Sequence, residues 1–269
     1  MLTRLELNKL VCFSNNVILN QFFSAMGFQG KRIIITGAAG CVGKALVKRL
    51  ILEDAHVIAV DKDEGQLNEL KKEHSSITTV SVDLMQWEET REKVLALVQD
   101  KPVDCLINNA GVVMPESFLE TRQENIDLSF GIHYKAVFNI SQVIAKSMID
   151  NKIEGSIVNI SSITSLRASE NLGVYCSSKA SLDMLTKVMA CELGEHKIRV
   201  NSVNPTAIWT PMAKKLPHNE GFMRRTPLKR IARVDEVVNA VLFVLGDACP
   251  MMNGSFITVD GGYSIFKNR

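Results

Sequence analysis

The sequence predicts a single α/β domain built on a doubly wound parallel sheet of about seven strands, with helices on both faces. Short apolar segments alternate with segments of helical periodicity along nearly the whole chain, which is the pattern of strands joined by helices. The strand-like segments are apolar throughout rather than at every second position, so the sheet is expected to be buried on both faces. The 269 residues, of which 46% are hydrophobic, suffice for one large core, and no repeat or linker divides them.

The predicted elements alternate in order along the chain. The strands cover residues 32–36, 56–60, 77–82, 103–107, 155–161, 198–203 and 255–259. The helices cover residues 42–52, 66–73, 85–98, one or two helices within 118–150, then 174–193 and 235–245. Residues 1–29 are predicted to be an extension that is disordered or loosely docked, and residues 30–269 are predicted to form the domain.

Charge, hydropathy and cysteine placement limit the classes of partner. The net charge of +2 gives no reason to expect nucleic acid or a membrane as the main partner, and no apolar run is long enough to span a bilayer. The six cysteines include no Cys-x-x-Cys pair and the five histidines are dispersed, so no metal site is predicted. Reduced thiols favour a cytoplasmic location. A mitochondrial location is a minor alternative, because the N-terminal extension carries Arg4 and Lys9 but is neither Arg-rich nor Ser-rich.

A glycine-rich turn follows the first predicted strand and opens the first helix. It reads Thr36-Gly-Ala-Ala-Gly-Cys-Val-Gly43, and its candidate cofactor residues are Gly37, Gly40, Cys41, Val42 and Gly43. Residues without side chains let backbone N–H groups approach a pyrophosphate at a helix N-terminus, as in Rossmann-type folds. A purely structural turn is the alternative, but the position in the first βα unit favours a nucleotide.

Asp61 ends the second predicted strand and bears on the choice of cofactor. A carboxylate there can accept both hydroxyls of an adenosine ribose and repels a 2′-phosphate. This favours NAD(H) over NADP(H). Lys62 follows directly and could partly neutralise the carboxylate, so NADP(H) stays open as the alternative.

Tyr175 and Lys179 stand four residues apart in a predicted helix, and Ser162 follows the fifth predicted strand. The spacing places the phenol and the ammonium on one face, one turn apart. A phenol ionises near pH ~10, and a neighbouring ammonium is expected to lower that pKa. Ser162 could hydrogen-bond the oxygen that Tyr175 protonates or deprotonates. The three residues predict proton transfer at a carbonyl or alcohol oxygen, although the Tyr-x-x-x-Lys spacing alone is common by chance.

Together these motifs resemble the short-chain dehydrogenase/reductase family. The glycine turn, Asn108-Asn109-Ala110-Gly111, Ser162, Tyr175-x-x-x-Lys179 and Asn204-Pro205-Thr206 occur in that family's order, and the similarity covers about residues 30–263. Within the family the chain looks most like the dicarbonyl/L-xylulose reductase group. The stretch Val174-Tyr-Cys-Ser-Ser-Lys-Ala-Ser-Leu-Asp183 carries much of that likeness.

The resemblance implies an oxidoreductase that transfers a hydride between a nicotinamide cofactor and a small carbonyl or secondary alcohol, assembled as a homotetramer. It implies that Tyr175 is the general acid/base, that Ser162 steadies the substrate oxygen and that Lys179 holds the nicotinamide ribose and lowers the tyrosine pKa. Further cofactor contacts are implied for Asp83, Leu84, Asn109, Ala110, Gly111, Pro205, Ile208 and Thr210.

Two residues depart from the family pattern. Cys41 occupies the position of the second glycine of the turn, where a thiol could crowd the pyrophosphate or shift the turn. His133 stands where the family's proton relay has an asparagine; it could hold the relay water as a further catalytic residue, or it could simply pack. These departures keep an alternative open, namely a catalytically weak or inactive protein of this fold that serves in binding or assembly.

The loop at about residues 206–233 is predicted to form a substrate lid. Its basic residues either attract anions or form a solvated surface; they are Lys214, Lys215, Arg224, Arg225, Lys229, Arg230 and Arg233. Ile163, Ser169 and Leu172 are expected to face the pocket, and they make a less polar lining than a sugar needs. This favours a small carbonyl compound or secondary alcohol, with L-xylulose as one candidate.

Overall fold

Seven parallel strands form one sheet, in the order β3-β2-β1-β4-β5-β6-β7, in the computed structural model, which describes residues 27–210 and 219–265. Each strand pairs in parallel with its neighbours. The strands are β1 (Arg32–Thr36), β2 (His56–Asp61), β3 (Thr78–Ser81), β4 (Cys105–Asn108), β5 (Ser156–Ile160), β6 (Arg199–Pro205) and β7 (Phe256–Val259). The doubly wound parallel sheet predicted from the sequence is confirmed.

Helices connect the strands and cover both faces of the sheet. They are α1 (Cys41–Leu52), α2 (Glu64–Glu73), α3 (Trp87–Asp100), α4 (Gln123–Phe130), α5 (Ala136–Asp150), α6 (Gly173–Leu193), α7 (Asn219–Arg225) and α8 (Val234–Leu245). Successive residues of β1 point to opposite layers. Ile33 and Ile35 pack in the layer that contains α1 and α8, whereas Ile34 packs in the layer that contains α3 and α5. Burial on both faces explains why the strands are apolar at every position.

A π-helical turn (Gly131–Lys135) joins α4 to α5, within the segment for which the sequence predicted one or two helices. The Ala136 N–H donates to the carbonyl of Gly131, so this turn contains one residue more than an α-helical turn. His133 lies in the turn and is fully buried. Its ring contacts Ser178 of α6.

A buried side chain lies just before the predicted domain boundary. Phe28 is 1% exposed and belongs to the core layer of α1. Its carbonyl accepts a 3.0 Å hydrogen bond from the Lys31 N–H. Phe28 therefore packs with the core, and the domain boundary at residue 30 stays a prediction. The remainder of the predicted extension (residues 1–26) and part of the predicted lid (residues 211–218, with Lys214 and Lys215) lie outside the described residues.

The strand order creates a crevice between β1 and β4. The chain winds outward from β1 to β3 and then returns to the other side of β1. At such a reversal the connections after the two central strands leave in opposite directions, which opens a crevice at their carboxyl ends. The glycine turn follows β1 and Asn109 follows β4, so both border this crevice. Within the described ranges, no helix is both long and apolar enough to cross a membrane.

Candidate active site

A cavity of about 470 Å³ lies at the carboxyl ends of the strands and contains most of the predicted site residues. Ser162, Tyr175 and Lys179 line it. So do the predicted cofactor residues Gly37, Gly40, Cys41, Val42, Asp61, Lys62, Asp83, Leu84, Asn109, Ala110, Gly111, Pro205, Ile208 and Thr210. Gly43 and His133 are not among the residues that line it. The fold therefore brings the two groups of predicted residues into one continuous space.

The glycine turn is shaped by close approaches of backbone to backbone. Gly37 has a φ of +63°, and a Cβ on it would lie 2.8 Å from the Cα of Ala110. A Cβ on Gly43 would lie 2.2 Å from the carbonyl oxygen of Gly37. The Gly40 N–H donates to the Gly37 carbonyl at 3.1 Å, and α1 then begins at Cys41. The turn therefore closes with Cys41 in place, and the N-terminus of α1 faces the cavity as an anion site requires.

Asp61 supports the glycine turn as well as facing the cavity. Its carboxylate accepts the Ala39 N–H at 3.0 Å and the Asp63 N–H at 3.1 Å. The first bond fixes the carboxylate at the adenosine side of the turn, where a ribose would lie. Lys62 also lines the cavity. The side chains present thus fit a dinucleotide whose ribose hydroxyls meet Asp61.

Asn109 joins the ends of β1 and β4. Its side-chain amide donates to the carbonyls of Thr36 and Gly37, both at 3.0 Å. In return the Thr36 hydroxyl accepts the backbone N–H of Asn109 at 3.0 Å and that of Ala110 at 3.1 Å. Both amide hydrogens of Asn109 are used within the protein. Its contribution to the cavity is therefore to hold the two strand ends at a fixed separation.

Ser162, Tyr175 and Lys179 meet at the other end of the cavity. Ser162 follows β5, and its Oγ accepts hydrogen bonds from the N–H and the hydroxyl of Thr164 at 3.2 and 2.9 Å. Tyr175 and Lys179 are one turn apart on α6. The Lys179 Nζ donates to the carbonyl of Ile160 at 2.7 Å and lies 5.8 Å from the centroid of the Tyr175 ring. The ammonium is therefore held beside the phenol by a backbone oxygen at the end of β5.

Burial is the largest influence on the pKa values of Tyr175 and Lys179, and one expectation from the sequence is wrong. Burial raises the pKa of Tyr175 to about 12, while a hydrogen bond with Ser162 acts in the opposite direction. Burial lowers the pKa of Lys179 to about 8, opposed by the negative charge of Asp183. The sequence led us to expect that Lys179 would lower the pKa of Tyr175. In the structure burial raises the Tyr175 pKa instead, and the phenol is a weaker acid than an exposed tyrosine.

His133 is enclosed by partners on both ring nitrogens. Its Nε2 accepts the Val112 N–H at 3.1 Å, which places the ring hydrogen on Nδ1. Nδ1 lies 2.8 Å from the Ser178 Oγ, and the Ser178 hydroxyl donates to the carbonyl of Tyr175 at 2.9 Å. Burial and the nearby Lys179 charge lower the His133 pKa well below its ordinary value.

The geometry thus favours packing, rather than participation in a proton relay, as the role of His133. Both of its nitrogens are used within the protein, so the imidazole has no site left for a relay water. Its ring meets that of Tyr175 edge-on, with centroids 5.4 Å apart. We therefore treat His133 as a neutral packing and positioning residue rather than as a member of the proton relay.

The substrate end of the cavity is mainly apolar. Ile163 and Leu172 line it as predicted, whereas Ser169 is not among the lining residues. Phe222 of α7 also lines it and stacks on Tyr263, with ring centroids 5.0 Å apart. The sequence pattern gave no signal for Phe222, because its place in the wall depends on packing against Tyr263, a residue of a different segment.

Other features outside the predicted set are backbone groups. The Ile160 carbonyl accepts a hydrogen bond from Lys179, and the Val112 N–H donates one to His133. Every residue type has a carbonyl and nearly every type has an N–H, so the sequence gives no signal for these contacts. Among the described residues, no cluster of three or more His, Cys, Asp or Glu side chains could hold a metal ion. The described cysteines Cys41, Cys105, Cys176, Cys191 and Cys249 are free thiols.

The chain is similar over most of its length to known reductases. A family model described as enoyl-(acyl carrier protein) reductase, adh_short_C2, matches residues 37–264. L-xylulose reductase of Homo sapiens is 45% identical over 238 residues, which cover 87% of this chain and 96% of the relative. Carbonyl reductase (NADPH) 2 of Sus scrofa is 44% identical over 242 residues, covering 88% and 98%. The crystal structure of 3-ketoacyl-(acyl-carrier-protein) reductase from Brucella melitensis complexed with NADH has a TM-score of 0.83 at 28% identity, covering 88% of this chain and 99% of that chain.

Proposed function

The chain belongs to the short-chain dehydrogenase/reductase family, and from that premise we propose that it catalyses the reversible reduction of a small carbonyl compound with a nicotinamide cofactor. The observation that carries the proposal is the convergence of Ser162, Tyr175 and Lys179 on a cavity shared with the glycine turn and Asp61. A bound nicotinamide would supply or accept the hydride. The protein's own residues would orient the carbonyl and move the proton.

Tyr175 is the proton donor in the direction of reduction. Its pKa of about 12 keeps the phenol protonated across the neutral range, so the proton is available when negative charge develops on the substrate oxygen. The Ser162 hydroxyl, positioned by Thr164, is available to hydrogen-bond the same oxygen. Lys179 places a positive charge beside the phenol, which stabilises the phenolate left after transfer.

The test is reduction of diacetyl and L-xylulose, and oxidation of xylitol, followed by the absorbance of the reduced cofactor. Tyr175→Phe should lower kcat by about 10²- to 10⁴-fold with little change in cofactor affinity. Tyr134→Phe is the matched control, because it removes a tyrosine hydroxyl outside the cavity. Tyr134 packs against Phe138. Turnover that survives Tyr175→Phe would contradict the assignment of the proton donor.

For the substrate we propose a small carbonyl compound with few hydroxyl groups, such as diacetyl. Ile163, Leu172 and Phe222 offer a sugar no hydrogen bonds, and an unpaired hydroxyl loses its bonds to water on entry. The relatives named L-xylulose reductase keep that sugar as a candidate. We expect a higher kcat/KM for diacetyl than for L-xylulose. Leu172→Asn should shift the ratio toward the sugar, and a native preference for L-xylulose would refute the apolar selection.

For the cofactor we propose a preference for NAD(H), supported by the position of the Asp61 carboxylate. The relative named carbonyl reductase (NADPH) 2 supports the alternative, and so does Lys62 beside the acid. Comparing kcat/KM for NADH and NADPH distinguishes them. Asp61→Asn keeps an acceptor for the Ala39 N–H but removes the charge, so it should improve the use of NADPH selectively. A wild-type preference for NADPH would overturn our interpretation of Asp61.

We also propose a homotetramer in the cytoplasm. Apolar side chains on α5 and α6 support self-association, since Phe138, Met184 and Val188 are each 39% exposed or more. Light scattering after size exclusion tests the assembly, with Met184→Glu expected to weaken it. The free described thiols fit a reducing compartment. Imaging of a tagged protein tests the location against the mitochondrial alternative.

A second candidate is a binding or assembly protein of this fold with weak or no catalysis. Cys41, which stands in place of a glycine at the start of α1, and His133, which stands in place of the relay asparagine, favour it. Titration with NADH and NADPH, followed by fluorescence or thermal shift, distinguishes the two. No shift with millimolar NADH or NADPH would support the second candidate.

A further inference from the structure

Asp183 is a buried acid to which the proposed mechanism gives no part. It lies on α6 and is 4% exposed. Tyr175, Lys179 and Asp183 are spaced by four residues each, so they follow one another along the same face of the helix. An isolated buried carboxylate is costly, so its partners indicate what it does.

Two of those partners also hold the backbone of Ser162. The Asp183 Oδ2 accepts the Ser165 hydroxyl at 2.5 Å and the Asn204 side-chain amide at 2.7 Å. The same Ser165 hydroxyl lies 2.7 Å from the Ser162 carbonyl, and the same Asn204 amide lies 3.2 Å from it. The Ser162 carbonyl also accepts the Ser165 N–H at 3.1 Å. The single Ser165 hydroxyl hydrogen can serve only one of its two acceptors, whereas the Asn204 amide has a hydrogen for each. Asp183 therefore reaches the Ser162 carbonyl chiefly through Asn204.

The other oxygen extends the cluster along β6. The Asp183 Oδ1 lies 3.1 Å from the Ser202 hydroxyl, which also lies 2.8 Å from the Oδ1 of Asn204. Asn204 is fully buried and immediately precedes Pro205, a residue of the cavity wall. The cluster thus joins three segments that carry the site, namely α6, the turn after β5 and the end of β6.

Asp183 also affects Lys179 electrostatically. Among the described residues, three ionisable groups act on or contact Lys179, namely Tyr175 and Asp183 on α6 and His133 from the π-helical turn. Of these, His133 is neutral and Asp183 supplies negative charge. Burial lowers the pKa of Lys179 to about 8, and Asp183 acts against that effect.

On the basis of the proposed function, we infer that Asp183 is a positioning residue that fixes the Ser162 turn against β6 and keeps Lys179 positively charged. It touches neither substrate nor cofactor. Its effect on the reaction passes through the placement of the Ser162 hydroxyl and through the charge beside the phenol.

The test substitution is Asp183→Asn, which keeps the size of the side chain and removes its charge. We expect kcat to fall by about 10- to 100-fold with a small change in cofactor KM, because the reacting groups lose their alignment. The alkaline limb of kcat/KM should move to lower pH, because Lys179 loses its proton more readily. Thr186→Val is the control, since it removes a buried hydrogen bond of α6 with Asn159 away from the Ser162 turn.

Two further measurements keep the inference falsifiable. Ser165→Ala removes the hydrogen bond between Ser165 and Asp183 but keeps the charge of Asp183. It should therefore lower kcat by a smaller factor and leave the alkaline limb of kcat/KM in place. The pH dependence of thermal unfolding follows Lys179 without any turnover, and its midpoint should also move to lower pH in Asp183→Asn. If kcat falls no further than in Thr186→Val, or if neither pH readout moves, the inference is wrong. The wild type could lack reductase activity while Asp183→Asn still shifts the pH dependence of unfolding. That result would refute the proposed function and support the electrostatic part of this inference.

Discussion

The two ends of the cavity are built in different ways. At the glycine-turn end the shape comes from backbone contacts, and a Cβ on Gly43 would collide with the Gly37 carbonyl. At the catalytic end the shape comes from buried polar side chains, such as Asp183 and His133, that bind residues distant in the chain. The first end should therefore be sensitive to added volume. The second should be sensitive to lost charge and lost hydrogen bonds.

The largest effect we expect is that of Gly43→Ala. Its Cβ would lie 2.2 Å from the Gly37 oxygen and 2.7 Å from the Ala38 Cα, and neither backbone atom can rotate away. We expect the free energy of unfolding to fall by about 1–3 kcal/mol and cofactor binding to be lost. Thermal unfolding and a cofactor titration measure the two effects.

Gly40→Ala is the matched control for that substitution. A Cβ on Gly40 would come no closer than 3.3 Å to the Gly37 oxygen, so a shift of a few tenths of an ångström would relieve it. We expect a much smaller loss of stability. Equal losses in the two variants would mean that close packing does not distinguish these glycines.

The next effect concerns Lys179 and pH. Its pKa falls from an ordinary value of 10.5 to about 8 on folding, so below pH 8 the folded state carries the full cost of burying the ammonium. That cost disappears as pH rises toward 10.5. The free energy of unfolding should therefore rise from pH 8 to 10 by about 2 kcal/mol relative to Lys179→Met.

Tyr175 limits the upper end of that pH window. Its pKa is raised from 10 to about 12 on folding, so above pH 10 the unfolded chain releases a proton that the folded chain keeps. Stability then falls with further increase in pH. Chemical denaturation of wild type and Lys179→Met at pH 7, 8, 9 and 10 checks the prediction. Parallel stability curves would show that Lys179 is not desolvated.

The same contrast explains what the sequence could and could not predict. The glycine turn and Asp61 depend on local rules, that is, small residues at a strand-to-helix turn and an acid at a strand end, and their positions in the cavity agree with those rules. Two partners of this group, the Ile160 carbonyl of Lys179 and the Val112 N–H of His133, could not be predicted, because they are backbone groups of distant residues. Asp183 did leave a signal, since a charged residue recurs at the spacing of Tyr175 and Lys179. The π-helical turn left none, because an extra residue in a turn does not change residue type.

His133 gives a moderate effect at the catalytic end. His133→Phe would leave the Val112 N–H without an acceptor and Ser178 without its ring partner, so we expect kcat to fall about 10-fold. His133→Asn retains one donor and one acceptor and should cost less. In the wild type, kcat/KM should show no His133 limb near pH 6.5, because its pKa lies well below that value. A limb at that pH that disappears in His133→Asn would restore the relay hypothesis.

The smallest effect should come from Cys41→Gly. This substitution tests whether side-chain volume at Cys41 affects cofactor binding as added volume at Gly43 is expected to do. Cys41 is exposed and is the first residue of α1, and the turn already closes in its presence. Glycine in the first turn should lower stability by about 0.5–1 kcal/mol. We therefore expect cofactor Kd to change by less than about 3-fold, equivalent to under about 0.7 kcal/mol, while Tm falls slightly. Cofactor binding that becomes tenfold tighter would show that the thiol crowds the pyrophosphate, and sensitivity to volume would then extend across the whole turn.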